Sequence, residues 1–191
     1  MIDLGKLLDI DEFDKFIEIA ETLPIIPYVY GGYNPVPDYP CWTKANGVAG
    51  TISFSKNIHK CDALAGAVSR MHDALLPFFP SPPLAERMHF IKTTGSIGAH
   101  IDEGGRASCI NIGLRNSSSA ITRVGKTNEL SLFNTEYDDY VVKEGHGYLL
   151  NTSQYHSVIG SPDIIRYQIS YKFQVDGNKI QEWLIMPKIS L

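Results

Sequence analysis

The sequence predicts a mainly β fold, either a β-sandwich or a barrel, with helices packed on one sheet. From about Arg87 onward, short runs of alternating polarity are separated by turn residues, which is typical of many short strands. Two earlier stretches have the periodicity of amphipathic helices. The length of 191 residues fits a single domain, which we expect to consist of a helical and loop part at 1–86 and a β core at 87–175.

Composition narrows the classes of function. Hydrophobic residues make up 43% and charged residues 20% of the chain, as in ordinary globular proteins. The net charge of −4 provides no basic surface and so disfavours nucleic acid as a partner. No signal-peptide pattern and no apolar run of membrane-spanning length is present, which predicts a cytoplasmic protein with no membrane partner. The widely spaced Cys41, Cys61 and Cys109 are expected to be reduced thiols.

Both predicted helices come early in the chain. In "DIDEFDKFIEIAETLP", Asp9 or Asp11 can cap the start, Pro24 stops the helix, and one apolar stripe consists of Phe13, Phe16, Ile17 and Ala20. In "KCDALAGAVSRMHDALLPFF", one face consists of Leu64, Val68, Met71 and Leu75. We interpret His72, inside the second helix, as a surface or core histidine rather than a ligand.

The segment between the helices, "YVYGGYNPVPDYPCWTKANG", is too irregular for one element and too apolar for a flexible linker. Two interpretations of its part from Tyr28 to Trp42 stay open. It is either a substrate-binding loop or lid, or a plain covering loop.

The strands are predicted from runs that alternate or are rich in β-branched and aromatic residues. They are "RMHFIKTT", "ASCINIGL", "AITRV", "ELSLF", "YVVKE", "GYLLNT", "HSVI" and "IIRYQISYKFQV". In the last run, alternate residues from Ile165 to Val175 are apolar and predict a core face beneath the helices. Arg166 belongs to the other face, which places it in the space that the sheets enclose, where a cation needs an anion.

The stretch "GAHIDEGG" places His100 and Asp102 two residues apart among glycines. It is either a polar turn or half of a metal site. Two histidines lie downstream: His146 in "EGHGY", interpreted as a hairpin tip, and His156, which opens an apolar strand. The set His100, Asp102 and His156 would leave three coordination positions open, which suits non-haem Fe(II) rather than a closed structural site.

The order "HID", "YHSV" and "RYQIS" resembles the His-X-Asp…His…Arg pattern of the Fe(II)/2-oxoglutarate-dependent dioxygenases. The resemblance covers about residues 89–175 and does not extend to the N-terminal part. It implies a double-stranded β-helix (jelly-roll, cupin-like) fold with the N-terminal helices packed on one sheet. The spacing from the second histidine to the arginine is its most specific part, since His-X-Asp alone is weak.

The resemblance also implies roles. His100, Asp102 and His156 would bind Fe(II), Arg166 would pair with the distal carboxylate of 2-oxoglutarate, and O2 would take the last position on the metal. The products would be succinate, CO2 and a hydroxylated substrate. Because Asp102 occupies the place that a halogenating relative leaves to chloride, hydroxylation is favoured.

One departure from the family pattern concerns the distal carboxylate. Many members have a serine two residues after the arginine, where this chain has Gln168. The second donor is therefore expected to be Gln168, Asn111 or Lys92.

Other classes of function stay open. A cupin-like metal-binding jelly-roll without 2-oxoglutarate turnover has no need of an inward arginine, and an interaction module that uses the Tyr28–Trp42 loop has no need of iron. For an oxygenase, Glu103 and Arg106 beside the ligands suit an amino-acid-like small molecule, and a peptidyl side chain is equally compatible.

Overall fold

The protein, described from a computed structural model, is built from two antiparallel sheets. The structure describes residues 1–22, 26–28, 49–53, 70, 73, 88–101, 108–126, 136–152 and 154–173. The major sheet has the strand order β1-β9-β6-β11-β4-β3-β2 and the minor sheet the order β5-β10-β7-β8. The elements are β1 (Ile2–Lys6), α1 (Ile10–Thr22), β2 (Ile26–Tyr28), β3 (Ala49–Ser53), β4 (Met88–Thr93), β5 (Ile97–His100), β6 (Ser108–Gly113), β7 (Ile121–Gly125), β8 (Tyr137–Val141), β9 (His146–Asn151), β10 (His156–Ile159) and β11 (Arg166–Phe173), with a short 3-10 turn at Ser117–Ser119.

The strands β4 to β11 form the jelly-roll core, with four strands in each sheet. The chain crosses repeatedly between the sheets in this part, which is how a jelly roll pairs strands that are distant in sequence. The predicted mainly β fold is confirmed. The strand β11 lies in the middle of the major sheet, between β4 and β6, so its ends are fixed by partners on both sides.

Helix α1 covers the outer face of the major sheet. Glu12 follows Asp9 by three residues, and its carboxylate accepts a hydrogen bond from the Asp9 backbone N–H at 3.4 Å, as in a capping box. The predicted stripe Phe13, Phe16 and Ile17 is buried, and so are the side chains on this face of the sheet: Phe90, Ile110, Ile112, Leu149 and Ile169. Each such side chain contributes about 1.5–3 kcal/mol by leaving water, so this layer is a main source of stability.

A second apolar layer joins the two sheets. Cys109 and Leu150 of the major sheet pack with Val124 of the minor sheet, and Met1 and Tyr140 lie against them. This contact identifies the inner face of each sheet. Asn111 lies two residues after Cys109 and so shares its inner face, and the register partner of Asn111 is Ser170. Arg166 and Gln168 alternate with Ser170 along β11, so they lie on the inner face as well.

The N-terminal part contains strands as well as helix and loop, which differs from the expectation for residues 1–86. β1 pairs with β9, while β2 and β3 extend the other edge of the major sheet beside β4. Strands of three to five residues at a sheet edge are too short to give a periodic signal. Of the second predicted helix, Arg70 and Asp73 are described, and both are helical.

Several predicted features lie outside the described residues. They are the loop from Tyr28 to Trp42 beyond Tyr28, Cys41, Cys61, His72, Glu103, Arg106 and the strand "ELSLF". Within the described parts of the chain, no helix has the length and apolarity that crossing a membrane requires.

A cluster of charged and hydrogen-bonded side chains links the end of α1 to β4 and β11. Glu21 accepts hydrogen bonds from Lys92 Nζ at 2.7 and 3.0 Å and from Tyr167 Oη at 2.8 Å. The bond from Lys92, followed by that from Tyr167, lowers the pKa of the Glu21 carboxyl below its usual value. A lowered carboxyl pKa stabilises the fold above the pKa of the unfolded chain, and this stabilisation is lost as the pH falls through the folded pKa.

We therefore expect Glu21→Gln to lower the free energy of unfolding near pH 7 by about 1 kcal/mol or less, because the 41% exposed side chain is screened by solvent. The difference from the unmodified protein is expected to shrink as the pH falls below the usual glutamate pKa of about 4.3, and to be lost once the pH is below the lowered folded pKa. Urea unfolding at several pH values measures it, with Glu18→Gln on the same helix as the control. A difference that persists unchanged in acid would contradict the assignment to the Glu21 charge.

Candidate metal centre and anion site

His100 and His156 lie side by side on the inner face of the minor sheet. They are direct partners in the β5–β10 register, and His156 is also the partner of Val124, which packs between the sheets. The ring centres are 4.3 Å apart, with the planes inclined by 51°. The two histidines that the sequence predicted as ligands are therefore brought together and face the enclosed space.

The same backbone contact orients both imidazoles. His100 Nδ1 is 2.9 Å from the carbonyl oxygen of Gly98, and His156 Nδ1 is 2.9 Å from that of Gln154. Since a carbonyl only accepts, Nδ1 carries a proton in both rings, and Nε2 is the nitrogen that carries the lone pair when the ring is neutral. Metal-binding histidines commonly have this arrangement, which fixes both the tautomer and the direction of the ligand nitrogen.

The spacing of the rings fits one ion with nearly perpendicular ligands. With metal–nitrogen bonds of about 2.1 Å, two imidazoles at right angles have ring centres about 4.6 Å apart, against about 5.3 Å at the tetrahedral angle. The observed 4.3 Å is slightly shorter than both values and closer to the first, so the two rings are near enough to share one ion. Of the described residues, none adds a third His, Cys, Asp or Glu ligand to this pair, and Asp102 lies outside the described residues.

A register shift in β5 aims His100 at the enclosed space. Ile97 pairs with Val158 and His100 pairs with His156, so β5 uses three residues where β10 uses two. Such an extra residue is a β-bulge, which changes the direction of the side chains that follow it. Ile97 and His100 consequently share a face although they are three residues apart.

Arg166 begins β11 on the facing sheet and is 5% exposed. Its Nη2 donates a hydrogen bond to the carbonyl oxygen of Gly95, while its buried Nε has no hydrogen-bond partner among the described residues. No carboxylate among the described residues pairs with it. Burial lowers the pKa of the guanidinium, because a charged group is disfavoured away from water. A buried cation of this kind is suited to an anionic ligand.

Gly160 allows the guanidinium to lie where it does. A Cβ at this position would be 2.5 Å from Arg166 Nη1, 2.8 Å from Cζ and 2.8 Å from Gly95 O. The sequence interpretation did not identify Gly95 or Gly160. The available signal was a Gly-Ser pair at the end of two strands, "TTGSI" and "VIGSP", since glycine at a strand end often permits a close approach.

We expect Gly160→Ala to lower the free energy of unfolding by about 1–3 kcal/mol, the usual cost of overpacking a filled site. Chemical unfolding measures the change. Gly147→Ala is the matched comparison, because the closest atom to its new methyl is Cδ1 of Leu7, at the rotatable end of a side chain. If Gly160→Ala lowers the free energy of unfolding by no more than Gly147→Ala does, the guanidinium can move away from Gly160 without penalty.

The candidates for the second anion donor are divided between two faces. Asn111 and Gln168 lie on the inner face with Arg166, and Asn111 Oδ1 accepts a bond from the buried Cys109 thiol at 3.6 Å. Lys92, in contrast, is the register partner of Tyr167 and bonds to Glu21, on the face that α1 covers. The structure does not bring Lys92 to Arg166, because adjacent residues on a strand point to opposite faces.

Thr93 is a donor that the sequence interpretation missed. It is the direct partner of Arg166 in the β4–β11 register and is buried. The pairing of β4 with β11, which sets this neighbour, is not readable from the sequence of either strand. His146, the alternative histidine, lies instead at the start of β9, with Nδ1 3.0 Å from Asp3 Oδ1.

Comparison with known proteins establishes the fold. Neither protein-family models nor curated proteins match the sequence. An oxidoreductase of the 2OG-Fe(II) oxygenase family from Burkholderia pseudomallei matches with a TM-score of 0.59 at 13% identity, over 90% of this chain and 83% of that chain. The non-haem α-ketoglutarate-dependent epimerase SnoN of nogalamycin biosynthesis matches with a TM-score of 0.57 at 11% identity, over 100% of this chain and 86% of that chain.

HygX from Streptomyces hygroscopicus, with nickel and 2-oxoglutarate bound, matches with a TM-score of 0.53 at 12% identity, over 90% of this chain and 81% of that chain. At such identities the likeness concerns the fold alone. The chain therefore has the double-stranded β-helix fold, as the family resemblance implied.

Proposed function

We propose that this protein is an Fe(II)- and 2-oxoglutarate-dependent dioxygenase that hydroxylates a small, amino-acid-like or peptidyl substrate. The observation that carries the proposal is that two kinds of site lie on the facing inner sides of the two sheets. An imidazole pair whose Nδ1 atoms are bound to backbone carbonyls lies on the minor sheet. A buried arginine that pairs with no carboxylate of the described residues lies on the inner face of the major sheet. The reaction consumes the substrate, 2-oxoglutarate and O2, and releases hydroxylated product, succinate and CO2.

His100, His156 and Asp102 would hold the iron, which supplies the activation of O2. The two imidazoles are held by hydrogen bonds from Nδ1 to Gly98 O and Gln154 O, which makes Nε2 the nitrogen that would bind the metal. The His-X-Asp…His…Arg pattern of the sequence indicates Asp102 as the third ligand. An ionised carboxylate would reduce the net charge of the metal centre and leave three positions for the reactants.

Arg166 would bind the distal carboxylate of 2-oxoglutarate. The guanidinium offers a planar set of donors, and its Nε is a buried donor with no acceptor in the part of the chain that the structure describes. Thr93 is placed to give a second donor beside it, and Asn111 and Gln168 lie on the same face to orient the rest of the molecule. We leave Lys92 out of this set because it bonds to Glu21.

The test is an anaerobic titration of the Fe(II)-loaded protein with 2-oxoglutarate, followed by its visible charge-transfer band. Succinate formation with O2 and a library of metabolites and peptides would then identify the substrate. A saturable band together with 2-oxoglutarate-dependent succinate supports the oxygenase. Iron binding with neither signal would replace it by the cupin-like metal-binding protein. The extent of the single domain over 1–191 and the cytoplasmic location stay predictions.

A further inference from the structure

Two Gly-Ser turns lie against each other at one end of the minor sheet. One joins β4 to β5 and contains Gly95 and Ser96, while the other follows β10 and contains Gly160 and Ser161. The Gly95 N–H donates to the Ser161 carbonyl oxygen at 2.9 Å. Ser96 Oγ donates to the Gly160 carbonyl oxygen at 3.2 Å and accepts from the Gly160 N–H at 3.1 Å. We call these four residues the Gly-Ser clasp.

The clasp encloses the guanidinium of Arg166 on two sides. Gly95, in a left-handed conformation with φ of 64°, directs its carbonyl oxygen at Nη2. Gly160 contacts the guanidinium so closely that a Cβ there would overlap Nη1. A carbonyl is a neutral acceptor, so this contact orients the cation and leaves its charge for another ligand.

The hydroxyl of Ser96 makes two hydrogen bonds between the turns, in addition to the backbone bond from Gly95 to Ser161. Ser96 is 4% exposed, and its one hydroxyl satisfies both backbone groups of Gly160. A methyl group in its place would leave the half-buried N–H and C=O of Gly160 without these bonds, which is unfavourable wherever water cannot replace them. Gly160 would then move, and the guanidinium would lose one of the two surfaces that orient it.

We propose that Ser96 is a positioning residue, which closes the Gly-Ser clasp and thereby holds Arg166 in the orientation that receives the distal carboxylate of 2-oxoglutarate. This role rests on the proposed function. An oriented guanidinium binds a carboxylate more tightly than a mobile one, because less conformational entropy is lost on binding. The metal ligands are not part of the clasp, although β5 and β10 carry both.

The first test is anaerobic calorimetry of the Fe(II) protein with two ligands. We expect Ser96→Ala to weaken the binding of 2-oxoglutarate about tenfold, which is the effect expected for the loss of a buried hydrogen-bonded contact. Pyruvate, a 2-oxo acid without a distal carboxylate, should bind both proteins within about twofold, and so should Fe(II) itself. Ser96→Thr retains the hydroxyl and should restore most of the affinity. The control is Ser117→Ala, at a buried serine whose Oγ has no hydrogen-bond partner among the residues described.

A double-mutant cycle separates positioning from general damage. If Ser96 acts through Arg166, Ser96→Ala has no further effect on 2-oxoglutarate in the Arg166→Ala background. Equal weakening of pyruvate, or additive losses in the double variant, would overturn the proposal. Should Ser96→Ala not fold, Ser96→Cys provides the same comparison, since a thiol keeps the volume and bonds weakly.

The second test needs no ligand. In the metal-free protein, the 15N–1H signals of the Arg166 guanidinium, assigned by their loss in Arg166→Ala, should report a rigid group with distinct Nη signals. In Ser96→Ala the guanidinium should rotate more freely, so that its separate Nη signals merge into an averaged one. If this happens in a protein that binds no 2-oxoglutarate, positioning stands and the proposed function fails. If 2-oxoglutarate binds and neither the signals nor the affinity change in Ser96→Ala, the proposed function stands and the role of Ser96 is wrong.

Discussion

Replacing Arg166 by alanine is expected to weaken the binding of 2-oxoglutarate to the Fe(II) protein by about 30-fold to several thousand-fold. This range corresponds to about 2–5 kcal/mol for truncating one member of a buried charge pair. The reason is that a buried guanidinium with an unpartnered Nε gains in the complex the acceptor that the described part of the chain does not give it. The anaerobic titration of the charge-transfer band measures the dissociation constants of both proteins.

Fe(II) affinity should be unchanged in Arg166→Ala, because the arginine lies on the other sheet from the histidines. Arg123→Ala is the matched control. Arg123 pairs with Asp139 on the outer face of the minor sheet, at 2.7 and 2.8 Å, so its loss removes an arginine without altering the enclosed space. If Arg166→Ala binds 2-oxoglutarate within about twofold of the unmodified protein, the distal carboxylate is bound elsewhere.

Replacing His100 or His156 by alanine is expected to lower Fe(II) affinity by more than about 100-fold. Loss of a residue that only orients a metal ligand typically costs 10–100-fold, so the loss of a ligand itself should cost more. Each variant leaves one imidazole of the pair and one Nε2 lone pair fewer for the ion. Equilibrium dialysis against Fe(II) under anaerobic conditions, with metal analysis of the protein, measures the change.

The control for the histidine variants is His146→Ala, since His146 contacts Asp3 at the edge of the major sheet. It should bind one Fe(II) per chain with unchanged affinity. Asp102→Ala extends the same experiment to the predicted third ligand and should resemble the histidine variants. Full iron affinity in both His100→Ala and His156→Ala would place the metal site elsewhere in the chain.

The parts of the fold that follow from local periodicity were predictable from the sequence. The stripe Phe13, Phe16 and Ile17 gave helix α1, and the alternation along β11 placed Tyr167 under that helix and Arg166 on the opposite face. β1 and β5 were missed, because strands of four or five residues at sheet edges carry little pattern. Their pairing depends on contacts with β9 and β10, which are distant in sequence.

The same distinction applies to the candidate site. His100, His156 and Arg166 were selected by order and spacing, whereas their surroundings depend on which strands become neighbours. Lys92 was a reasonable candidate donor by residue type, but it lies on the face of β4 opposite to that of Arg166. The next residue along the strand, Thr93, lies on the same face as Arg166. Gly95 and Gly160 illustrate the limit most clearly, since a glycine needed for close packing has no side chain to indicate its neighbour.

Because of the bulge in β5, the direction of the His100 imidazole depends on the number of residues in that strand. Side chains alternate along a strand, so inserting or deleting one residue between Ile97 and His100 would change the parity and turn the imidazole toward the outside of the sandwich. Substitutions at Gly98 or Ala99 preserve that parity. Lineages descended from this protein that keep the site can therefore diverge in residue type along β5, whereas changes in chain length must be accommodated in the surface loops.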